Sequence, residues 1–180
     1  GVVLAASYEA KAFGVRSAMP GRRARELCPE LIFVDGHFKD YQRLGDAAVA
    51  VLGDFTPLVE RLSIDEAFAD VKGCTHLFGS PAEIARKVRH RVRSELGLPI
   101  SVGVARTKHL AKIASQVAKP DGLAVVDPER ELEFLHDLGE PRELLAQPVE
   151  LRLQREDAAH ALEVDALVLG QVLDVPQLRD

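Results

Sequence analysis

Leu58-Val59-Glu60-Arg61-Leu62-Ser63-Ile64-Asp65-Glu66-Ala67-Phe68-Ala69-Asp70-Val71 is the stretch on which the fold turns. Leu58–Ile64 and Ala67–Val71 read as two strands joined by a very tight turn, with Asp65 and Glu66 side by side at its tip. Working upstream, Tyr41, Leu44, Ala48, Val51, Leu52 and Phe55 recur at helical spacing, so a helix is predicted from about Phe38 to Phe55, ended by Pro57. Working downstream, Ser80-Pro81-Ala82-Glu83 is a capping box with proline at the first helical position. The helix it opens carries Ile84, Val88, Val92 and Leu96 on one face and stops at Gly97. Ile100, Val102 and Val104 then alternate with Ser101 and Gly103, which predicts a strand over Ile100–Ala105.

The order helix, strand, strand, helix, strand needs one strand in front to become βαββαβ, the ferredoxin-like unit of an α/β (α+β) fold. That strand would have to precede Gly1, with Val2–Val34 inserted before the first helix. A sheet without it is expected to show an open pairing edge and to aggregate. Within the inserted part, Val2–Ala5 reads as a strand entering a loop around Ser7–Phe13. Pro20 opens a short basic helix over Gly21–Leu27, and Leu31–Val34 reads as a second brief strand. After Ile100–Ala105, Thr107 caps a helix with Leu110, Ile113, Ala114 and Val117 inward. Lys119-Pro120-Asp121-Gly122 is a turn and Leu123–Val126 a last strand. Beyond it the chain is acidic and helix-favouring, interrupted by Pro141, Pro148 and Pro176.

With 180 residues, 47% apolar and 28% charged, the chain has the composition of an ordinary globular protein rather than a disordered one. No apolar run approaches the ~18–20 residues of a membrane span, and no membrane partner is expected. Cys28 and Cys74 form neither a CxxC pair nor a zinc site, which suits a cytoplasmic protein. The net charge of −5 hides an asymmetry: residues 1–123 carry a net +4 and residues 124–180 a net −9. The basic part suits a phosphate-bearing partner; the acidic part does not.

Three segments hold candidate chemistry. Asp65 and Glu66 are adjacent, so a regular strand would send them to opposite faces, whereas a tight turn lets them converge. Paired carboxylates raise each other's cost of ionisation unless a cation neutralises both, and oxygen-only donors favour Mg²⁺. An Asp-Glu pair also fits a plain solvated turn, and the residues alone leave both readings open. On the helix Thr107–Lys119, the positions Lys108, Lys112, Ser115 and Lys119 fall away from the apolar stripe. Lys119 would project from the helix end and could hold phosphate, or the face is simply solvated. Tyr8 and Lys11 offer a hydroxyl and a cation three residues apart, which meet on one side of a helical turn; a capping turn with Tyr8 half-buried explains them equally. Arg86, Lys87, Arg89, Arg91 and Arg93 read as a basic solvent face, and the six histidines show no metal-ligand spacing.

Together these segments carry a resemblance. Val3-Leu4-Ala5-Ala6-Ser7-Tyr8-Glu9-Ala10-Lys11-Ala12-Phe13-Gly14-Val15-Arg16-Ser17-Ala18-Met19-Pro20 resembles the fingers motif of Y-family DNA polymerases, in the bacterial DNA polymerase IV branch. Ser63-Ile64-Asp65-Glu66-Ala67-Phe68 is similar to that family's catalytic palm turn. Ile100–Ala105, Leu110-Ala111-Lys112-Ile113-Ala114-Ser115 and Lys119-Pro120-Asp121-Gly122 resemble its third signature. The likeness runs from residue 1 to about 136, with three motifs in order.

The resemblance implies a fold: a ferredoxin-like palm lacking its first strand over 38–126, a small fingers subdomain over 1–37, and over 127–180 an acidic helical tail, divergent or an incomplete thumb. It implies that Asp65 and Glu66 hold two catalytic Mg²⁺ ions and that Tyr8, Lys11 and Lys119 contact the incoming triphosphate. Phe13–Met19 would lie near the templating base. The implied activity is low-fidelity, template-directed addition of dNTPs to a primer 3′-hydroxyl. The partners would be primer-template DNA, dNTP and a sliding clamp reached through a further C-terminal region, and the chain a monomer. The family's first metal-binding aspartate and its sugar-discriminating aromatic lie on a strand ahead of Gly1, and residues after Leu138 do not match its thumb. The chain as given is therefore expected to be inactive by itself. Two other readings are a non-catalytic polymerase-like DNA-binding paralogue and a metal-dependent phosphohydrolase on a ferredoxin-like core; the second leaves the Tyr8–Lys11 segment unexplained.

Overall fold

Residues 1–138 and the strand 166–171 are described by the structure, a computed structural model. They fall into two units, within Gly1–Phe38 and within Lys39–Val172. In the first, Ser7 caps α1 (Tyr8–Ala12): its hydroxyl accepts from the Ala10 N–H at 3.2 Å. Pro20 precedes α2 (Gly21–Leu27), as its fixed φ favours. Val3, Ala10, Val15, Ala24 and Cys28 form a small core.

Neither strand expected in this unit is present. Val3 exchanges two hydrogen bonds, from its N–H to the Met19 carbonyl at 2.9 Å and from the Ala18 N–H to its own carbonyl at 2.8 Å. That leaves a single bridge, Val2 to Pro20. Leu31–Val34 has no ladder partner among the described residues, and Ile32 is 78% exposed. Apolar content alone does not make a strand when nothing pairs with it.

The second unit begins with α3 (Phe38–Gly53). The hairpin follows as β1 (Val59–Arg61) and β2 (Glu66–Asp70), shorter than read from the sequence because Leu62–Asp65 are given to the turn. A short α4 (Thr75–Phe78) leads to α5 (Pro81–Leu96), where both halves of the Ser80–Glu83 capping box form and Gly97 ends the helix at φ 68°. Next come β3 (Ile100–Ala105), α6 (Lys108–Val117) capped by Thr107, β4 (Leu123–Val125), α7 (Glu131–Asp137) and β5 (Ala166–Gln171).

The strands form one sheet in the order β1-β2-β5-β3-β4. Its two faces follow from strand alternation. Ala67, Ala69, Val71, Ile100, Val102 and Val104 pack in one cluster with Ala48, Val51 and Leu52 of α3 and Ile84, Ala85, Val88 and Val92 of α5. These two helices therefore share a face, as their apolar stripes require. Phe68 and Ala105 point the other way, onto Leu110, Ala111 and Ala114 of α6.

The inward side of α6 differs from the sequence reading. Ala111 and Ser115 are fully buried, whereas Val117 is 45% exposed. The reason is Gly103: a Cβ there would lie 2.0 Å from the Ala111 carbonyl oxygen and 2.4 Å from the Ser115 nitrogen. Helix and strand touch backbone to backbone, and only small residues fit such an approach.

Leu123–Val125 is not the last strand. β5, inside the tail expected to be helical, pairs antiparallel with β2 over Glu66–Asp70 and with β3 over Ile100–Ala105. It takes the central position left for a strand ahead of Gly1, so the expected open edge between β2 and β3 is filled. An apolar run, Ala166-Leu167-Val168-Leu169, suits a strand paired on both sides. Residues 139–165 and 172–180, the rest of the acidic tail, lie outside the described residues.

Candidate metal and phosphate site

The tip of the β1–β2 hairpin is held by its own hydrogen bonds and by a brace from behind. Leu62 and Ser63 both donate their N–H to the Glu66 carbonyl, at 2.9 and 3.2 Å. Arg61 donates to the carbonyls of Ser63 and Ile64, at 2.9 and 3.1 Å, and forms an ion pair with Asp46 of α3. A Cβ on Gly45 would stand 2.1 Å from the Ile64 carbonyl oxygen, so α3 approaches the turn directly. The Arg61 guanidinium and Gln42 amide bonded to Asp46 lower its pKa from the usual 3.8.

Asp65 and Glu66 are both half-buried, and they face different partners. The Ser63 hydroxyl donates to Asp65 Oδ1 at 2.6 Å. Glu66, first residue of β2, forms an ion pair with Lys112 of α6 in which the side chains are 20% and 19% exposed. One strand over, Glu60 pairs with Lys108, whose ammonium also stands 5.6 Å from the Phe68 ring centroid. Two of the lysines read as solvent-facing thus hold carboxylates on the α6 side of the sheet.

Lys119 follows α6 and is half-buried, its backbone N–H donating to the Gln116 carbonyl at 3.2 Å. Its turn is pinned from α5. Arg89 donates to the Asp121 carbonyl at 2.5 Å and Arg93 to Asp121 Oδ2 at 2.6 Å, with Asp121 at φ 45°. Arg89 also reaches the Ile100 carbonyl at 3.2 Å, and Arg91 bonds Asp54 and Glu95. The expected basic solvent face of α5 is therefore in good part structural. Sequence reasoning missed this, although Arg89 and Arg93 stand i,i+4 on one side of the helix and could have been paired with an acidic turn.

Register relates Lys119 to the carboxylates. Glu66 is aligned with Gly170, and Gly170 with Ser101; the next residue, Val102, donates its N–H to the Gly122 carbonyl at 3.0 Å. The carboxylate turn and the Lys119–Gly122 turn therefore lie at one end of the sheet, with roughly 10 Å between β2 and β3 across the intervening strand. Tyr8 and Lys11 belong to the other unit. There they meet as expected of adjacent positions on a helical turn, with the Lys11 ammonium 4.7 Å from the Tyr8 ring centroid.

Asp65, in the turn, and Glu66, first residue of β2, offer oxygen donors only, the donor type that hard divalent cations take. No group of three or more His, Cys, Asp or Glu able to hold a metal occurs among the described residues. Nor is any described helix long and apolar enough to cross a membrane.

A five-stranded mixed sheet with two carboxylates at one end fits a polymerase palm and a phosphohydrolase core alike, and it is the comparisons that give the class. Residues 1–116 match the impB/mucB/samB family, and the chain belongs to that family. It is 80% identical over 138 residues to DNA polymerase IV 2 of Mesorhizobium japonicum, covering 77% of this chain and 33% of that protein. It is 43% identical over 175 residues to DNA polymerase IV of Halorhodospira halophila, covering 97% of this chain and 46% of that protein. Among solved structures, "Insertion ternary complex of Dbh DNA polymerase" matches with a TM-score of 0.70 at 33% identity, over 76% of this chain and 40% of that one. "Crystal Structure of DinB from Sulfolobus solfataricus" matches at 0.69 and 32%, over 75% and 40%. The resemblance to Y-family polymerases of the DNA polymerase IV branch is borne out, and with it the mixed fold of palm and fingers type. The chain spans a third to a half of the length of these relatives.

Proposed function

We propose that this chain carries the fingers and palm of a translesion DNA polymerase that adds dNTPs to a primer 3′-hydroxyl opposite a template. The division is fingers over 1–37, palm over 38–126, and an acidic segment after it. The observation that carries the reading is the hairpin tip: two half-buried carboxylates, braced by Arg61 on one side and met by Lys112 on the other. The neighbouring turn that bears Lys119 at the same sheet end supports it. Membership of the family, and relatives named DNA polymerase IV, agree with it.

In this reading Asp65 and Glu66 hold Mg²⁺, which when bound supplies Lewis-acid stabilisation of the attacking and leaving oxygens. Lys119, Lys11 and the Tyr8 hydroxyl bind the triphosphate oxygens of the dNTP; charge-assisted bonds of this kind contribute ~1.5–3 kcal/mol each. Ser63 and Arg61 fix the turn so that both carboxylates keep one geometry through the reaction. Two carboxylates on one turn fall short of a two-metal site, so the 180 residues alone are expected not to extend primers. Cytoplasmic location, a role in DNA repair, a monomeric state and contact with a sliding clamp belong to the same proposal.

The test uses a chimera in which residues 1–138 replace the matching 138 residues of the Mesorhizobium japonicum relative. The chimera should extend a primer with Mg²⁺, and Lys119→Ala in it should raise the apparent KM for dNTP by about tenfold or more. An unchanged dNTP dependence would remove Lys119 from the site. A chimera that binds primer-template DNA without extending it would favour the non-catalytic paralogue.

A further inference from the structure

The turn that carries Lys119 leads from α6 to β4, and both of its ends are tied down. Ser101 of β3, fully buried, donates its hydroxyl to the Ala118 carbonyl at 3.3 Å. Val102 donates its N–H to the Gly122 carbonyl at 3.0 Å. A Cβ on Gly122 would stand 2.1 Å from the Ala118 carbonyl oxygen, so the two ends touch. Between them Asp121 takes φ 45°, a left-handed conformation that costs free energy for a residue with a Cβ. Arg89 of α5 holds it there. Its Nη2 donates to the Asp121 carbonyl at 2.5 Å and to Asp121 Oδ1 at 3.2 Å, and its Nε to the Ile100 carbonyl at 3.2 Å. One guanidinium thus joins a helix, a strand and the strained residue of the turn, which a planar fork can do and an ammonium cannot. Arg93 adds a bond to Asp121 Oδ2 at 2.6 Å, from a side chain 60% exposed against 25% for Arg89, so water competes with it more.

We propose that Arg89 is a positioning residue for the nucleotide: through Asp121 it fixes where Lys119 meets the triphosphate, without touching substrate itself. The inference rests on the reading of Lys119 as a triphosphate contact. Lys119 brings a point charge on a flexible stem, and its attraction for phosphate oxygen falls with distance. A turn released at Asp121 would spread the ammonium over several positions, and gathering it again would be an ordering cost set against binding. Because one contact serves both the bound and the reacting nucleotide, its loss appears in KM and leaves kcat in place.

The test uses the chimera that bears residues 1–138, with KM and kcat for dNTP insertion measured beside the urea midpoint. Arg89→Met should raise the apparent KM by about fivefold to tenfold and keep kcat within about twofold of the parent's. In a Lys119→Ala background the same change should add no more than about twofold, since nothing is left to position. Arg91→Met, which breaks the bonds to Asp54 and Glu95 from the same helix, should lower the urea midpoint and leave KM parental. If Arg89→Met does not fold, Arg89→Lys, which keeps the charge without the fork, should raise KM by about threefold. A parental KM in a folded Arg89 variant would overturn the inference. So would an equal rise in both backgrounds, or a rise in Arg91→Met to match. Lys119→Ala with an unchanged dNTP dependence would overturn the reading of Lys119 and this inference with it, an outcome seen with Arg89 intact and so distinct from the others.

Discussion

Lys112 and Glu66 meet across the α6–β2 contact, 46 residues apart in sequence, as an ion pair of which only about a fifth of either side chain is exposed. The pair couples the helix that precedes the Lys119 turn to the strand that begins at the carboxylate tip. Gly103 permits it, because α6 lies against β3 at backbone distance. An ammonium beside Glu66 balances a carboxylate that would otherwise be half-buried beside Asp65 without a counter-charge.

Removing that counter-charge should expose the need for it. Lys112→Met is expected to cost ~1–3 kcal/mol, the penalty for a poorly solvated polar group left without its partner. Mn²⁺ should then stabilise the variant more than the parent, since a divalent ion can take over the neutralisation of Glu66. Urea unfolding with and without Mn²⁺ measures both effects. Equal responses to the ion in parent and variant would show that Glu66 and the metal do not meet.

The approach of α3 to the hairpin turn makes a second prediction. Gly45→Ala forces a Cβ against the Ile64 carbonyl, a backbone atom that cannot swing aside. A loss of ~1–3 kcal/mol is expected, as for overpacking in a core, with amide shifts concentrated at residues 61–66. Chemical denaturation and amide spectra check it; a variant as stable as the parent with an unmoved turn would contradict the packing.

Asp46 supplies a dependence on pH. Its pKa is lowered in the folded protein by the Arg61 and Gln42 bonds, so its contribution to stability is present above its usual value of 3.8. That contribution is lost as pH falls through the lowered folded value. Asp46→Asn should therefore unfold more easily than the parent at pH 7, and the gap should close under strongly acid conditions. Thermal midpoints of the two proteins across that range are the measurement, and a gap that widens on acidification would refute the assignment.

Much of this fold was legible because its signals are local. The Ser80–Glu83 box, Gly97 and the Ile100-Val102-Val104 alternation each act within a few residues, and the helix and strands they predict are present. The α6 face was misread for the opposite reason. Periodicity weighs large apolar residues, but the closest contact is made by Ala111 and Ser115 over Gly103, where smallness decides. β5 was not legible because pairing a strand with partners 61 to 104 positions earlier leaves no periodic trace, and the acidic residues around it read as a tail. The carboxylates, the Tyr8–Lys11 segment and Lys119 stood out as residue types. Their supports, Arg61, Lys112, Arg89 and Arg93, did not, since each depends on a partner distant in sequence.

The most direct test of the central claim is primer extension by the chimera that bears residues 1–138, with and without Asp65→Asn and Glu66→Gln together. If these two carboxylates hold the catalytic metal, the unmodified chimera extends the primer in Mg²⁺. The double variant, still folded by circular dichroism, should lose activity by at least ~10³-fold, consistent with loss of Lewis-acid stabilisation worth several kcal/mol. Robust extension by the double variant would place the metal site elsewhere and contradict the account.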